Sequence, residues 1–112
     1  MALSTLALRR CRACEGTTKP LSRRAAQGLL ARLHGWKIIK HVAIRKSLSC
    51  KDFLDAVRHI QQIASCAEAE GHHPDLHLSG YRNLTIELST HAIGGLSEND
   101  FILAAKIDQL LS

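Results

Sequence analysis

The segment Glu68-Ala69-Glu70-Gly71-His72-His73-Pro74-Asp75-Leu76-His77-Leu78 separates a helical pattern from an extended one. Before it, apolar residues recur at the spacing of one helix face; they are Phe53, Val57, Ile60, Ile63 or Ala64, and Ala67. Gly71 suits the end of a helix, and Pro74 disfavours helical backbone at the residue before it. Leu76, His77 and Leu78 then alternate as in a strand. We therefore predict a long central helix and then a strand whose His77 faces away from the core.

A helix and a pair of strands are predicted upstream of the central helix. Ser22 can cap a first helix that runs to about Leu33. Strands are expected at residues 36–39 and 42–48, joined at Lys40-His41. The turn chemistry there is weak, because neither Gly nor Asn supplies a positive φ. The central helix then starts at Ser49 or Asp52.

After the central helix, the pattern predicts two more strands and a last helix. Strands at residues 76–78 and 84–89 precede a last helix, which Ser97 opens with Asp100 three residues later, as in a capping box. The apolar residues of that helix cover more than one face, which favours self-association. The order helix, two strands, helix, two strands, helix predicts an α+β fold with a four-stranded antiparallel sheet packed against helices. We expect a single two-layer domain over residues 21–112, preceded by a flexible basic arm over residues 1–20.

Charge and composition exclude several classes of protein. The net charge is +5 over 112 residues, but residues 1–24 hold six basic side chains and one acidic one, which accounts for the whole excess. A basic nucleic-acid groove on the folded body is therefore not expected, and four aromatic residues provide no base-stacking platform. No apolar run is long enough to cross a membrane. Four cysteines are too few for a disulfide framework. We expect a reducing, cytoplasmic location, although residues 1–10 carry some of the bias of an organelle transit peptide.

Three histidines suggest a proton-handling site. His72 and His73 end one segment, and His91 follows the alternating strand at residues 84–88, so a hairpin through Gly80 can bring them together. Histidine exchanges protons near neutral pH, so such a group can supply both an acid and a base. Glu68, on the last turn of the central helix, could orient one imidazole.

Each of these residues also has a structural explanation. His72 could cap the helix end, His73 could be the extended residue that Pro74 requires, and Glu68 could be solvated. Asp100 could stabilise the start of the last helix without any role in chemistry. The combination of a second strand that ends in histidine with an upstream acid favours a functional cluster.

A metal centre is the less favoured explanation of the same residues. Three histidines and a carboxylate fit the ligand list of a catalytic zinc ion, but no usual zinc spacing is present. Adjacent His72 and His73 in extended backbone would point to opposite sides. Cys11-x-x-Cys14 is half of a zinc ribbon without a second pair. We therefore expect no metal and no cofactor, and we treat His34, His41 and His59 as surface or packing residues.

Residues 68–108 closely resemble the pterin-4a-carbinolamine dehydratase family. The matching blocks are His72-His73-Pro74, Tyr81, Ser89-Thr90-His91, Gly94-Gly95-Leu96-Ser97-Glu98 and Asp100. Upstream, similar blocks are Cys11-x-x-Cys14-Glu15-Gly16, Pro20-Leu21-Ser22 and Leu33-His34-Gly35-Trp36. The resemblance covers nearly the whole chain after about residue 10. Two departures are Leu76, where animal members have an aromatic residue, and a gap to Tyr81 that is one residue longer.

The resemblance implies an enzyme that dehydrates 4a-hydroxytetrahydropterin to quinonoid dihydropterin, which recycles the pterin cofactor of hydroxylases. It implies His72 and His91 as the candidates for the acid and the base, without deciding which is which, and it places His73 against the pterin. The implied catalytic residues are His72, His73 and His91, and the implied substrate-binding residues are Glu68, Tyr81, Ser89, Thr90 and Asp100. A dimer or tetramer is also implied. Some relatives act as dimerisation partners of a transcription factor, so a binding module is the alternative function.

Overall fold

The computed structural model describes residues 5–12 and 19–111. Its three α-helices are α1 (Arg23–Leu30), α2 (Phe53–Glu70) and α3 (Glu98–Leu111). Its four strands are β1 (Lys37–Ile39), β2 (Ala43–Ser49), β3 (Asp75–Ser79) and β4 (Asn83–Leu88). Short 3₁₀ helices lie at Thr5–Leu8 and His91–Ile93. No helix within the described part of the chain is both long and apolar enough to span a membrane.

The four strands form one antiparallel sheet in the order β1-β2-β4-β3. Two hairpins are therefore joined by the pairing of β2 with β4, in which Ile44 lies opposite Leu88 and Leu48 opposite Leu84. On the face that carries Ile44 and Ile86, the β4 residues are buried and the β2 residues become half-buried towards Leu48, whereas the residues between them are mostly exposed or half-buried. The predicted α+β class, element order and antiparallel sheet are confirmed.

The helices differ from the prediction only in detail. Ser22 caps α1 by accepting a hydrogen bond from the Ala25 N–H at 3.1 Å, but the regular helix ends at Leu30. Asp52 is the cap of α2, where its side chain accepts from the Asp55 N–H. The prediction that Phe53 faces inward was wrong, because this first residue of α2 extends beyond the core and is 53% exposed. The face of α2 that is buried consists of Ala56, Ile63 and Ala67.

Both hairpin turns place at least one residue other than glycine at positive φ. Lys40 and His41 have φ values of 50° and 62° although neither is Gly or Asn. Positive φ at two successive residues is the requirement of a type I′ turn, whose twist matches that of the strands. The His41 ring is held at 2.9 Å from the Arg23 guanidinium. Gly80 and Tyr81, with φ values of 53° and 55°, make the second turn in the same way.

Most of the apolar surface of α3 is covered by the chain itself, although Leu110 near its end is 37% exposed. All its residues from Asn99 to Ala105 are buried, as is Ile107. The 3₁₀ helix at Thr5–Leu8 packs on α3 and places Leu6, which is fully buried, in the core. The Lys106 ammonium donates to the Ala7 carbonyl at 2.7 Å. Residues 5–12 thus differ from the flexible arm that composition suggests, because Leu6 supplies an apolar anchor. Residues 1–4 and Cys14 lie outside the described residues.

Asp108 ties the sheet, α3 and the segment before β1 together. Its carboxylate accepts hydrogen bonds from the Trp36 indole at 2.9 Å, the Lys46 ammonium at 2.7 Å and the His34 N–H at 3.0 Å. Lys46 and Asp108 are both largely buried at this contact. The Asp108 carboxylate thus balances the charge of Lys46, whose side chain lies on the core face of β2.

Candidate functional site

His72 is positioned by the way in which α2 ends. Gly71 adopts the left-handed conformation with φ of 65°, and its N–H donates to the Ala67 carbonyl. The His72 N–H donates to the same carbonyl at 3.3 Å, as in a Schellman motif. This turn directs the imidazole towards α3, where its Nε2 lies 2.6 Å from Oδ1 of Asp100. The His72 side chain is 13% exposed and the Asp100 side chain is fully buried.

Asp100 serves as a helix cap and as the partner of His72 at the same time. Its Oδ2 accepts a hydrogen bond from the Ser97 N–H at 3.0 Å, which is the reaching-back half of a capping box. The same oxygen accepts from the Thr90 hydroxyl at 2.8 Å, and that hydroxyl lies 2.7 Å from Oγ of Ser97. The structural and the functional explanations of Asp100 are therefore compatible. Ser97 and Thr90 thus hold the carboxylate in place beneath the histidine.

His73 turns the other way, as adjacent residues in extended backbone do. Its Nε2 lies 3.2 Å from Oε1 of Glu68, so the carboxylate on the last turn of α2 orients an imidazole. Both side chains are mostly exposed, at 59% and 78%. A pair in this setting contributes little to stability. Its effect is to hold the His73 ring at the rim of the site.

His91 reaches the same place from the end of β4. It begins the second 3₁₀ helix, which ends at Gly94 with φ of 65°, and the Gly94 N–H donates to the His91 carbonyl at 3.2 Å. A single bridge between Thr90 and Gly95 closes this loop. The His91 side chain itself is exposed. The loop thus presents an imidazole to solvent beside the buried His72–Asp100 pair.

These groups line one open cavity of about 310 Å³. The lining residues are Arg12, Gly71, His72, His73, Ser89, Thr90, His91, Ala92 and Asn99. All three predicted histidines are therefore brought together with Ser89 and Thr90, while Asp100 and Glu68 hold two of the rings from behind. The volume suits a small bicyclic ligand. One imidazole held by a buried carboxylate and a second one exposed nearby can take up and deliver protons across such a ligand.

Tyr81 is not brought to this cavity. It lies in the β3–β4 turn, whereas His91 follows the other end of β4, and a six-residue strand spans about 20 Å. Its ring is 61% exposed. His77 behaves as expected: it alternates with the partly buried Leu76 and Leu78 and faces away from the core.

Two lining residues were not singled out from the sequence. Arg12 and Asn99 are joined by a pair of hydrogen bonds, in which the Arg12 N–H donates to Asn99 Oδ1 at 2.9 Å and the Asn99 amide donates to the Arg12 carbonyl. Glu70 assists by accepting from the Cys11 N–H at 2.8 Å and pairing with Arg10. The sequence shows only that Asn99 lies in the predicted first turn of α3. The need of its amide for partners follows from its burial, which the structure reveals.

Among the residues that the structure describes, the His72–Asp100 pair has no third histidine, cysteine or carboxylate close enough to complete a metal site. Among residues 5–12 and 19–111, the one group of side chains close enough together to hold an ion lies elsewhere, at Cys50, Asp55 and His59.

Comparisons with known proteins identify relatives of this chain. The family model described as pterin 4 alpha carbinolamine dehydratase matches residues 19–110. Pterin-4-alpha-carbinolamine dehydratase 2, mitochondrial, from Arabidopsis thaliana is 42% identical over 97% of this chain, which spans 60% of the length of that protein. A relative from Nitrosospira multiformis that bears the family's name is 43% identical over 96% of this chain and 94% of its own length.

Solved structures show the same architecture. The crystal structure of a transcriptional coactivator/pterin dehydratase from Brucella melitensis superposes with a TM-score of 0.78, at 29% identity, over 84% of this chain and 100% of that one. A pterin dehydratase-like RuBisCO assembly factor of the α-carboxysome has a TM-score of 0.58 at 23% identity, which shows the fold alone. The match over residues 19–110 includes all the cavity histidines and both hairpins, and so the chain belongs to the pterin-4a-carbinolamine dehydratase family.

Proposed function

We propose that this protein dehydrates 4a-hydroxytetrahydropterin to quinonoid dihydropterin. The observation that carries the proposal is the His72–Asp100 contact of 2.6 Å, which places a carboxylate-oriented imidazole in a cavity lined by two more histidines. Membership of the family supports the substrate class.

The reaction is a transfer of protons around a leaving hydroxide. The lone pair of the ring nitrogen next to carbon 4a forms a carbon–nitrogen double bond while the carbon–oxygen bond breaks. The oxygen takes a proton and leaves as water, and the nitrogen loses its own proton. An acid and a base complete these steps, so the proposed mechanism uses no metal and no nucleotide.

We assign the base to His72 and the acid to His91. A carboxylate can only accept hydrogen bonds, so Asp100 fixes the proton of His72 on Nε2 and leaves Nδ1 as the acceptor. The same negative charge stabilises the imidazolium that forms when His72 takes a proton. His91 is exposed on its loop and exchanges protons with solvent, which suits a group that must be recharged after each turnover.

The remaining cavity residues are assigned to binding. His73, oriented by Glu68, faces the pterin from the rim, and Ser89 and Thr90 offer polar groups from the end of β4. Arg12 adds a cation to the lining from the N-terminal segment. A substrate-binding role for Tyr81 would require a second copy of the chain, because its own turn lies at the far end of β4.

The test is turnover of histidine variants on 4a-hydroxytetrahydropterin generated in situ. His72→Ala and His91→Ala should each lower turnover by about 10²- to 10⁴-fold with the fold kept, since both residues lie at segment ends. The double variant should lose less than the product of the single losses, because the two groups share one reaction. His77→Ala, on the opposite face of the sheet, is the matched control. Wild-type turnover in both single variants, or an equal loss in His77→Ala, would overturn the proposal.

Self-association and location are separate proposals. We expect a dimer or tetramer, but α3 gives this little support, since the chain itself buries most of the apolar residues of that helix. The exposed Phe53 and Leu54 of α2 are the better candidates for a contact between copies. Sedimentation at micromolar concentration should show a species larger than the monomer, and a strict monomer would remove this expectation. We keep the cytoplasm as the proposed location, although the name of the Arabidopsis relative describes that protein as mitochondrial.

A role as a partner of a transcription factor is the alternative function. The name of the Brucella relative joins a coactivator role to dehydratase activity in that protein. Such a role does not use the histidine-lined cavity. If His72→Ala bound its partner like the wild type and the wild-type protein turned over no pterin, the alternative would replace the proposed reaction.

A further inference from the structure

A second group of ionisable side chains lies at the opposite end of α2 from the cavity. Cys50 follows β2 directly, and Asp55 and His59 lie on the first two turns of α2, four residues apart on one helix face. One ligand atom from each of the three lies within 4.8 Å of the others. Cys50 is buried, and the other two are partly buried. Because α2 has 18 residues and is therefore about 27 Å long, this group is remote from His72.

His59 has an unsatisfied buried nitrogen. Its Nδ1 is the one buried side-chain nitrogen or oxygen without a hydrogen-bond partner in the part of the chain that the structure describes. Its Nε2 lies 3.5 Å from Oδ2 of Asp55. Buried polar atoms in native proteins almost always have a partner, which is a protein group, a water molecule or an ion. The ring thus has one nitrogen without a partner, and its other nitrogen lies beside the Asp55 carboxylate.

We propose that Cys50, Asp55 and His59 bind a zinc ion that joins the end of β2 to the start of α2. Zinc ligands lie about 2.0–2.3 Å from the metal, so two ligands of a tetrahedral site are separated by about 3.3–3.6 Å. The separation of Asp55 Oδ2 from His59 Nε2 already has this value, and every separation in the group is within 4.8 Å, about 1 Å more than a tetrahedral site requires. A metal on Nδ1 would instead satisfy the buried nitrogen, and both placements use the same three residues.

The donor set selects the class of metal. A thiolate, an imidazole and one carboxylate suit zinc, a borderline-soft ion, whereas calcium and magnesium prefer oxygen ligands alone. Binding would displace the Cys50 thiol proton, and a water molecule would complete four-fold coordination. Asp55 already meets other groups, because its carboxylate accepts from the Lys51 N–H at 2.9 Å and pairs with Arg58 at 3.4 Å. These contacts fix the carboxylate next to His59 before any metal arrives.

We expect a zinc ion at this site to stabilise the fold and to leave the proposed reaction unchanged. The Cys50 N–H donates to the Arg82 carbonyl at 2.8 Å, so a metal bound to Cys50 would connect β2, α2 and the β3–β4 turn. An ion that binds only the folded chain raises its stability by mass action. Zinc should therefore raise the melting temperature of the wild-type protein.

The decisive experiment is titration of the purified apo-protein with Co²⁺, which substitutes for zinc. A thiolate-to-cobalt charge-transfer band should grow to one equivalent per chain. The histidine cavity lacks a cysteine in its lining, so Co²⁺ bound there gives no such band. Cys50→Ser and His59→Gln should both abolish the band. Cys66→Ser, a partly buried thiol further along α2, and His77→Gln should both keep it.

Two further readouts keep the result interpretable. If Cys50→Ser does not fold, His59→Gln decides, since that ring is outside the apolar core. Zinc should raise the melting temperature of the wild type and leave that of His59→Gln unchanged, while pterin turnover should be similar in both. A band that is absent from the wild type, persists in His59→Gln, or is lost in Cys66→Ser would overturn the zinc site. None of these outcomes depends on the activity of the histidine cavity.

Discussion

Replacing Asp100 by Asn is the change that most directly tests the proposed chemistry. In the wild type, Asp100 Oδ2 accepts from the Thr90 hydroxyl and the Ser97 N–H, and Oδ1 lies 2.6 Å from His72 Nε2. An asparagine has the same shape but only one acceptor oxygen. Two donors converge on the Oδ2 position, so the amide oxygen should take that place and the NH₂ group should face His72.

The consequence for His72 is a change of tautomer. An NH₂ group donates, so Nε2 must become the acceptor and the ring proton must move to Nδ1. The nitrogen that we assign as the base would then be blocked. We expect turnover to fall by about 10²- to 10⁴-fold, the range for the loss of a general base. Nitrogen NMR of the His72 ring should show the exchanged tautomer.

The expected loss of stability is small by comparison. The Asp100→Asn variant keeps two of the three hydrogen bonds and the helix cap, and it exchanges one charge-assisted bond for a neutral one, at a cost of about 1–2 kcal/mol. For a domain of this size that is a decrease in melting temperature of roughly 4–16 °C. Thermal unfolding and turnover measured on the same samples separate the two effects.

Ser97→Ala is the matched control for this variant. It removes the hydroxyl that contacts Thr90 in the same buried network, but it keeps the Ser97 N–H that donates to Asp100 and leaves the tautomer of His72 as it is. We expect it to lose about 1 kcal/mol of stability and less than about tenfold in turnover. Wild-type turnover in Asp100→Asn, with the exchanged tautomer seen by NMR, would refute the assignment of His72 as the base.

Three further predictions concern the framework and the cysteines. Leu6→Ala should reduce the free energy of unfolding by about 2–5 kcal/mol in urea denaturation, because Leu6 is fully buried against α3; a change below about 0.5 kcal/mol would show a loosely attached segment. Asp108→Ala should cost about 3–5 kcal/mol, since it leaves the Lys46 ammonium and the Trp36 indole without their acceptor, whereas a neutral effect would show that water replaces it. Burial, and after it the nearby Glu70 carboxylate, raises the pKa of the Cys11 thiol to about 12. Alkylation of this thiol near pH 8, followed by peptide mass spectrometry, should therefore be about 1000-fold slower in the folded than in the unfolded protein. Equal rates would contradict that environment.

The sequence predicts the secondary structure well because each segment has a local signal. Gly71 and Pro74 mark the end of α2 and the start of the extended segment, and Ser22 and Ser97 mark the starts of helices. What it misses depends on contacts between distant residues. Lys40 adopts positive φ because the strands on either side require the turn, which overrides its own preference.

The packing of the N-terminal segment was likewise not predictable from local patterns. Leu6 lies in a short stretch whose charge bias resembles that of a mobile terminus, and its burial depends on the apolar face of α3 about one hundred residues later. The same contact accounts for most of the apolar excess of α3, so the prediction of self-association needs another surface to support it. A helix with more apolar surface than one sheet can bury is covered here by its own chain.

The histidines of the candidate site were predictable from the sequence, but their partners and some of the lining residues were not. His72, His73 and His91 stand out because they lie where segments end, and chain ends of adjacent elements meet at the same edge of the fold. Only the structure shows which carboxylate contacts which imidazole. Glu68 contacts His73, and Asp100 contacts His72. Arg12 also lines the cavity, but the composition of its segment predicts only that the segment is basic.

Asp100 shows why structural and chemical roles need not compete at such a site. A helix start supplies unpaired N–H groups, so a carboxylate there is held by the backbone without further design. Oδ2 is occupied in that way by Ser97 and Thr90, which leaves Oδ1 free to orient His72. The cap therefore fixes the position of the carboxylate, and the carboxylate fixes the tautomer of the imidazole. A substitution that preserves the cap but exchanges the group at Oδ1 can separate the two roles, because only the second one controls where the proton lies.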